Sequence, residues 1–525
     1  MRFSNPSSLL VGAVLLVVAV RTGAQSLRRA RAELPSEKDT PGLGEDAAPE
    51  QFDAVIVGAG WAGISAAKTL LDSGVSSVLV LEANDYIGGR SKTINSDGRI
   101  NVPNITIDSN NVPVECGSEW LYLDNGMEKH LRENDYLEHV DLNTSEDDWL
   151  GGTLKRTQLY VQLRGDNDTI RTVKVDRETM NKLHDRTWRY FSSFRDKERE
   201  KKDQSYFSAI EKYKKALKLT NNVAIQYLNL LLSIGEVDIA AESNKISLDE
   251  HRIFRGWSYP VHYMSVPGAG YGNVAAALAA PFAPPSSSTI KLGAKVTEIN
   301  REDPNNSIIS FTKNGVSKKV STKTVLVTVS LGVLKAGSIS FKPKLPRWKQ
   351  QVIDKMGFGV MNKCILQWND TDTAVWPDST WFALTTPDDH TSGKWTTFFN
   401  PSKFKGVPTL VGWISGDDAK SMEKQTDEEV LGDVMENLRT MFPTLSQPDR
   451  VIVTRWGQEE TVRGTYSYKT VGRDHGNDSR ILKRRVQKLW FAGEATAGSY
   501  WYATTVGGWK TGHEAALEMV QELSH

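Results

Sequence analysis

From Phe52 onward the chain sets short, wholly apolar runs against glycine-marked turns. Ala54–Val57 is a continuous apolar run, the pattern of a parallel strand buried on both faces. A glycine turn follows, then a helix through Leu71, then a second apolar run at Val78–Leu81. This predicts a β-α-β unit of about 30 residues. The middle is different. Residues 176–232 read as helical, and the charge run Arg195–Asp203 reads as a solvated helix face. Val266–Ala280 reads as a glycine turn entering a helix, and Lys291–Asn300 and Thr324–Val329 read as strands. Residues 335–460 alternate short aromatic strands with one helix, Asp427–Met441. Leu489–Phe491 predicts another buried strand, and Gly507–Leu523 a last helix. No internal repeat is visible. The expected fold class is α/β, with a Rossmann-like parallel sheet flanked by helices and a second, mixed α+β domain.

At 525 residues the chain has room for two or three domains. Lys plus Arg and Asp plus Glu balance at 64 each, which argues against a nucleic-acid-binding protein. The N-terminus has the marks of a signal peptide over 1–24. Arg2 supplies charge, Leu9–Val20 is apolar, and Thr22-Gly23-Ala24 offers small residues for cleavage. The apolar run is 12 residues, short of the ~20 a spanning helix needs, so no stable membrane span is expected. Residues 25–50 are polar and rich in charge, Pro and Gly, as in a disordered linker or propeptide. Six N-x-S/T sequons, at Asn104, Asn143, Asn167, Asn305, Asn369 and Asn477, fit a secreted, N-glycosylated protein. Cys116 and Cys364 are the only cysteines. They could form one disulfide or stay as buried thiols. No metal site is expected.

Chemistry concentrates first in DAVIVGAGWAGISAA, which places Gly58, Gly60 and Gly63 as G-x-G-x-x-G. The first glycine permits a tight turn, the second a close approach to a pyrophosphate, the third close helix–strand packing. The helix N-terminus then faces the phosphates. Glu82, at the end of the next strand, can accept hydrogen bonds from ribose hydroxyls. Context makes this a dinucleotide site.

Just after Glu82 comes ANDYIGGR, with Gly88, Gly89 and Arg90. This resembles a motif of the FAD-dependent amine oxidase family. LWFAGEATAGSYWYATTVGGWKTGHEAA, more than 400 residues later, resembles that family's C-terminal flavin motif. TRWGQEETVRGTYSYKTVG and TVLVTVSLGVLKAGSISFKPKLPRWKQQVIDKMGFGVMNKCILQW are similar to the polyamine oxidase branch. The resemblance spans about Phe52 to Leu523. It implies an FAD-binding domain built from 51–140, 266–334 and 456–525. A substrate domain would then comprise 141–265, with a helical insertion, and 335–455.

The resemblance also implies roles for single residues. Lys363, which interrupts the apolar run Cys364-Ile365-Leu366, falls on the family lysine that holds a water against the flavin N5. Glu82 would bind the adenosine ribose, Arg90 the pyrophosphate, and the Val296 backbone the adenine. Ala62, Ala83 and Gly89 would line the dinucleotide, and Glu494 would lie near the ribityl chain. Thr505 and Val506 would face the flavin ring at a helix N-terminus, where the dipole favours negative charge. Trp120 and Trp456 stand either beside the flavin or in the core. Tyr466, Tyr500 and Tyr502 are candidates for aromatic walls that orient an aliphatic amine. Two departures bear on substrate. Tyr122 stands where polyamine oxidases often carry His or Glu, with Asp124 nearby, and Val506-Gly507-Gly508-Trp509 replaces the usual V/T-H-G-A. No cysteine lies in the C-terminal motif, so FAD should be noncovalent. The implied reaction is oxidation of a polyamine (spermine, spermidine or acetylated forms) with hydride transfer to FAD. Its products are an aldehyde, a smaller amine and, from oxygen, hydrogen peroxide. An L-amino-acid oxidase is the competing reading, with Arg255 as its carboxylate-binding candidate. A histone demethylase is disfavoured by the signal peptide. A flavin-free relative that binds prenylated partners is the non-enzymatic reading. The sequence leaves the oligomeric state open.

Overall fold

The strand that opens the fold starts at Glu50, four residues before its apolar run begins at Ala54, because Glu50–Phe52 pair with Val320–Thr322. The structure is a computed structural model describing residues 48–103, 112–121, 127, 157–164, 169–198, 203–248, 263–264, 270–370, 374–385, 394–402, 406–498 and 501–525. The expected signal peptide, most of the 25–50 linker, part of the Arg195–Asp203 charge run, and Asn104, Asn143 and Asn167 lie outside these residues. The fold belongs to the unit Pro49–His525.

The first sheet has eight strands. Its centre is Glu50–Val57, hydrogen-bonded in parallel to Val78–Leu81 on one side and to Val316–Val327 on the other. Ala54 and Ile56 face one core with Leu326 and Trp490, while Val55 and Val57 face another with Leu79, Val325 and Phe491. Burial on both faces is why the run is uniformly apolar. On one face lie the helices Trp61–Asp72 and Thr505–Leu523, which meet through Ala62, Ala66, Ala515 and Ala516. Small residues permit this closeness. A Cβ on Gly512 would stand 2.1 Å from the Ala62 carbonyl oxygen.

The sequence reading needs three corrections here. Val316–Val327 begins earlier than Thr324 and ends at Val327, since its exposed first half forms a hairpin with Ser307–Lys313. Ser340–Lys342 pairs in parallel with Lys295–Asn300, so the first sheet runs past the expected boundary at 334/335. Residues 335–460 hold the helices Arg347–Lys355 and Gly416–Met422 besides Asp427–Met441. Only the last carries a capping box, Thr426 with Glu429, the strongest local start signal.

A seven-stranded sheet forms the second layer, in the order Arg450–Val453, Met361–Gln367, Thr409–Ser415, Thr397–Phe399, Trp381–Thr385, Thr157–Arg164, Ile170–Lys174. All its pairings are antiparallel except Trp381–Thr385 with Thr157–Arg164. Cys364 and Leu366 point to one core with Val430, Val434 and Leu438. Ile365 points the other way, to Val237, Trp413 and Trp456. Strand alternation puts Lys363 on the Ile365 face. Among the described residues no helix is long and apolar enough to cross a membrane.

Candidate active site

One cleft is lined by residues from both sheets, including Gly58, Gly60, Ala62, Glu82, Ala83, Gly89, Arg90, Val296, Lys363, Trp456, Tyr466, Glu494 and Thr505. The glycine turn explains its floor. Gly58 has φ +107°, a conformation that disfavours side chains. Gly60 has no protein atom within 4 Å of where a Cβ would stand, so its missing side chain leaves space for a ligand. No side chain caps the helix Trp61–Asp72 that follows, which leaves its N-terminal N–H groups for an anion. Gly63 does not line the cleft. A Cβ there would sit 1.9 Å from the Gly58 oxygen, so this glycine serves packing.

Glu82 is buried. Its carboxylate accepts from the Ala59 N–H at 2.6 Å and the Asn84 N–H at 2.8 Å, tying the glycine turn to the second strand. Burial pushes its carboxyl above the ordinary value, against the pull of these donors. Each oxygen keeps a lone pair for a ribose hydroxyl. Arg90 donates to the Thr465 carbonyl at 2.5 Å and to Glu494 at 2.9 Å. Glu494 also accepts from the Ser467 hydroxyl at 2.7 Å and the Ala503 N–H at 2.9 Å. Burial alone would raise the Glu494 carboxyl. The Arg90 charge and these donors outweigh it and hold the group below the usual range. Arg90 thus reaches the cleft as an anchored cation.

The wall from the second sheet carries Lys363, Met361 and Trp413, with Val237 and Asp238 from the end of the helix Asn222–Ile239. The Lys363 ammonium donates to Glu119 at 2.8 Å and to the carbonyls of Gly117 and Glu115 at 3.0 and 3.1 Å. Glu115 is fixed in turn: its carboxylate accepts from Thr93 Oγ1 and from the N–H of Tyr271, the first residue of the helix Tyr271–Ala279. Trp456 both lines the cleft and packs in the core, donating from Nε1 to the Cys116 carbonyl at 3.0 Å. The Tyr466 hydroxyl donates to the carbonyls of Val237 and Asp238, which leaves the ring to shape the wall. The Thr505 hydroxyl meets that of Tyr271 at 2.7 Å.

Two expected contacts are corrected. Tyr502 is buried against His475, with ring centroids 4.0 Å apart, and does not line the cleft. Val506 is fully buried beside the first helix, because the last helix turns its apolar stripe inward. Tyr122, Asp124, Tyr500 and Arg255 lie outside the described residues. Trp120 is placed by its backbone, paired with Met264. Both cysteines are buried and neither forms a disulfide, and burial raises the Cys364 thiol to about 12. Glu119, Trp413 and Asp238 were not singled out from sequence. Glu119 stands in the stretch Cys116-Gly117-Ser118-Glu119-Trp120, directly before the tryptophan that sequence reading had singled out.

These features fit FAD. The open turn at Gly60, the buried Glu82 and the anchored Arg90 suit an adenine dinucleotide, and the same cleft continues to an aromatic wall bearing Lys363. Comparison with known proteins agrees. Polyamine oxidase 2 of Arabidopsis thaliana is 30% identical over 479 residues, covering 88% of this chain and 86% of the relative. Polyamine oxidase 4 of Oryza sativa subsp. japonica is 29% identical over 479 residues, 88% of each chain. A solved structure of putrescine oxidase bound to putrescine shares the fold, with TM-score 0.63 and 19% identity over 90% of this chain and 99% of that one. The model of the flavin containing amine oxidoreductases matches residues 61–520, and the chain belongs to that family as an FAD-dependent amine oxidase.

Proposed function

We propose that the protein oxidises polyamines, spermine, spermidine or their acetylated forms, to an aldehyde and a smaller amine, with hydrogen peroxide as the product of oxygen. The observation that carries this is one cleft joining the Gly58–Gly63 turn to a wall of Trp413, Trp456, Tyr466 and Lys363. The names of the relatives supply the substrate class. Bound noncovalently, FAD supplies the two-electron acceptor that oxygen then restores. Glu82 and Arg90 hold its adenosine and pyrophosphate parts. The aromatic wall disfavours the charged ammonium and orients an aliphatic chain, so that the reacting nitrogen gives up its proton on entering from water and is neutral when the adjacent C–H is cleaved. Asp238 also lines the cleft, and an acidic residue there suits a polycationic substrate. An L-amino acid would need a free cation for its carboxylate, and among the described residues the cleft's Arg90, Lys295 and Lys363 are each engaged with a carboxylate. Secretion with N-glycosylation is part of the same reading. Asn305, Asn369 and Asn477 are all exposed.

Oxygen uptake with a panel of amines tests the substrate. Uptake with spermine or spermidine, yielding one peroxide per amine oxidised, is expected. Uptake with L-amino acids and none with polyamines would reverse the assignment.

A further inference from the structure

An ammonium carries three N–H bonds, and the three on Lys363 meet Glu119 Oε2 and the carbonyls of Gly117 and Glu115, at 2.8, 3.0 and 3.1 Å. All three acceptors lie in one five-residue stretch, at residues 115, 117 and 119, so a single ammonium gathers the whole turn around itself. Both charged side chains are sealed from solvent, 2% and 3% exposed. Their residues nevertheless line the cleft, together with Cys116, Gly117 and Ser118 of the same segment. Lys363 is therefore a pin through this loop, and among the described residues Glu119 supplies its counter-charge.

That counter-charge matters for the chemistry. The nitrogen of the amine must be neutral when its neighbouring C–H is cleaved. A charge within about 4–6 Å moves a titrating group by roughly 1–3 pH units. An unpaired ammonium on the wall would repel a cationic substrate. An unpaired carboxylate would hold the nitrogen protonated. The pair does neither.

We propose that Glu119 is a positioning residue: it fixes the Lys363 ammonium against the cleft and cancels its charge, so the wall beside the reacting nitrogen is ordered and net neutral. This rests on the amine-oxidising reading of the site. It also answers a gap in the sequence, since Tyr122 provides no fixed charge where relatives carry an ionisable group. Among the described residues, the other titratable groups around the pair are Asp238 and Tyr466 on the cleft, Cys116 in the same segment, and Glu115, whose carboxylate is committed to Thr93 and Tyr271. All of them remain in every variant below.

The test compares wild type, Glu119→Gln, Lys363→Met and the double variant, each as flavin-loaded protein. The limiting rate of anaerobic flavin bleaching at saturating spermine is followed against pH, which reports groups in the bound complex. Glu119→Gln leaves the ammonium uncompensated and is expected to move the acid limb down by about one pH unit. Lys363→Met leaves the carboxylate and is expected to move it up. The double variant should return between them. A purely structural role would move both single variants the same way, and that result overturns the proposal. Thermal unfolding of the same proteins needs no turnover. The double variant should melt above Lys363→Met, and strictly additive losses would also overturn the pairing. Coupled melting with no amine oxidation would instead refute the proposed function and leave the pair standing.

Discussion

Replacing Lys363 with methionine is expected to destabilise the protein by about 3–5 kcal/mol, the usual cost of removing one partner from a buried ion pair. The reason lies in what stays behind. Glu119 remains 3% exposed with no countercharge, and the carbonyls of Glu115 and Gly117 lose the donor that joined them. Methionine fills much of the volume but donates nothing. Glu119→Gln should cost less, since the ammonium keeps both carbonyls and gains the amide oxygen. The readout is the melting temperature of the flavin-loaded protein, with Lys363→Met lowest of the three. Equal melting of Lys363→Met and wild type would mean that Lys363 does not hold the 115–119 segment.

Gly63→Ala is expected to abolish flavin retention and lower the yield of folded protein. The added Cβ would stand 1.9 Å from the Gly58 oxygen and 3.0 Å from its carbonyl carbon. Neither can retreat. Gly58 donates its N–H to the Leu81 carbonyl, and Thr328 donates both N–H and hydroxyl to Val57 behind it. The helix Trp61–Asp72 must lift from the turn instead, a strain of about 1–3 kcal/mol or more. Its N-terminus would leave the phosphate position as it moved. Gly60→Ala is the matching control. No protein atom lies within 4 Å of that Cβ, so the chain should fold normally yet purify with little flavin. Absorbance at the flavin band relative to protein, beside circular dichroism, separates the two. Full flavin content in both variants would refute the placement of the dinucleotide on this turn.

The nucleotide half was legible because its signals are local. Gly58, Gly60, Gly63 and Glu82 fall within one β-α-β unit, and each glycine's role follows from spacing. Lys363 was legible because it stands directly before the apolar run Cys364-Ile365-Leu366 on one strand. Its partner was not. Glu119 lies 244 residues away in sequence, and no periodicity reports a contact of that range. Tyr502 misled for a related reason. It stands in the aromatic stretch Tyr500-Trp501-Tyr502 of the sequence, but its ring is taken by His475 on the helix His475–Lys483. The parallel pairing of Trp381–Thr385 with Thr157–Arg164 was equally hidden, because the strands' apolar content is the same whichever neighbour they choose. The boundary at 334/335 failed because Ser340–Lys342 is a short, mostly polar edge strand, which carries almost no pattern.

The central claim is that this cleft binds FAD and oxidises a polyamine on it. The most direct test is an absorbance spectrum of the purified protein, before and after spermine without oxygen, and again on admitting air. Flavin bands that bleach with spermine and return with air are expected. Flavin bands that ignore spermine, spermidine and their acetylated forms would contradict the substrate, and a protein with no flavin bands would contradict the site itself.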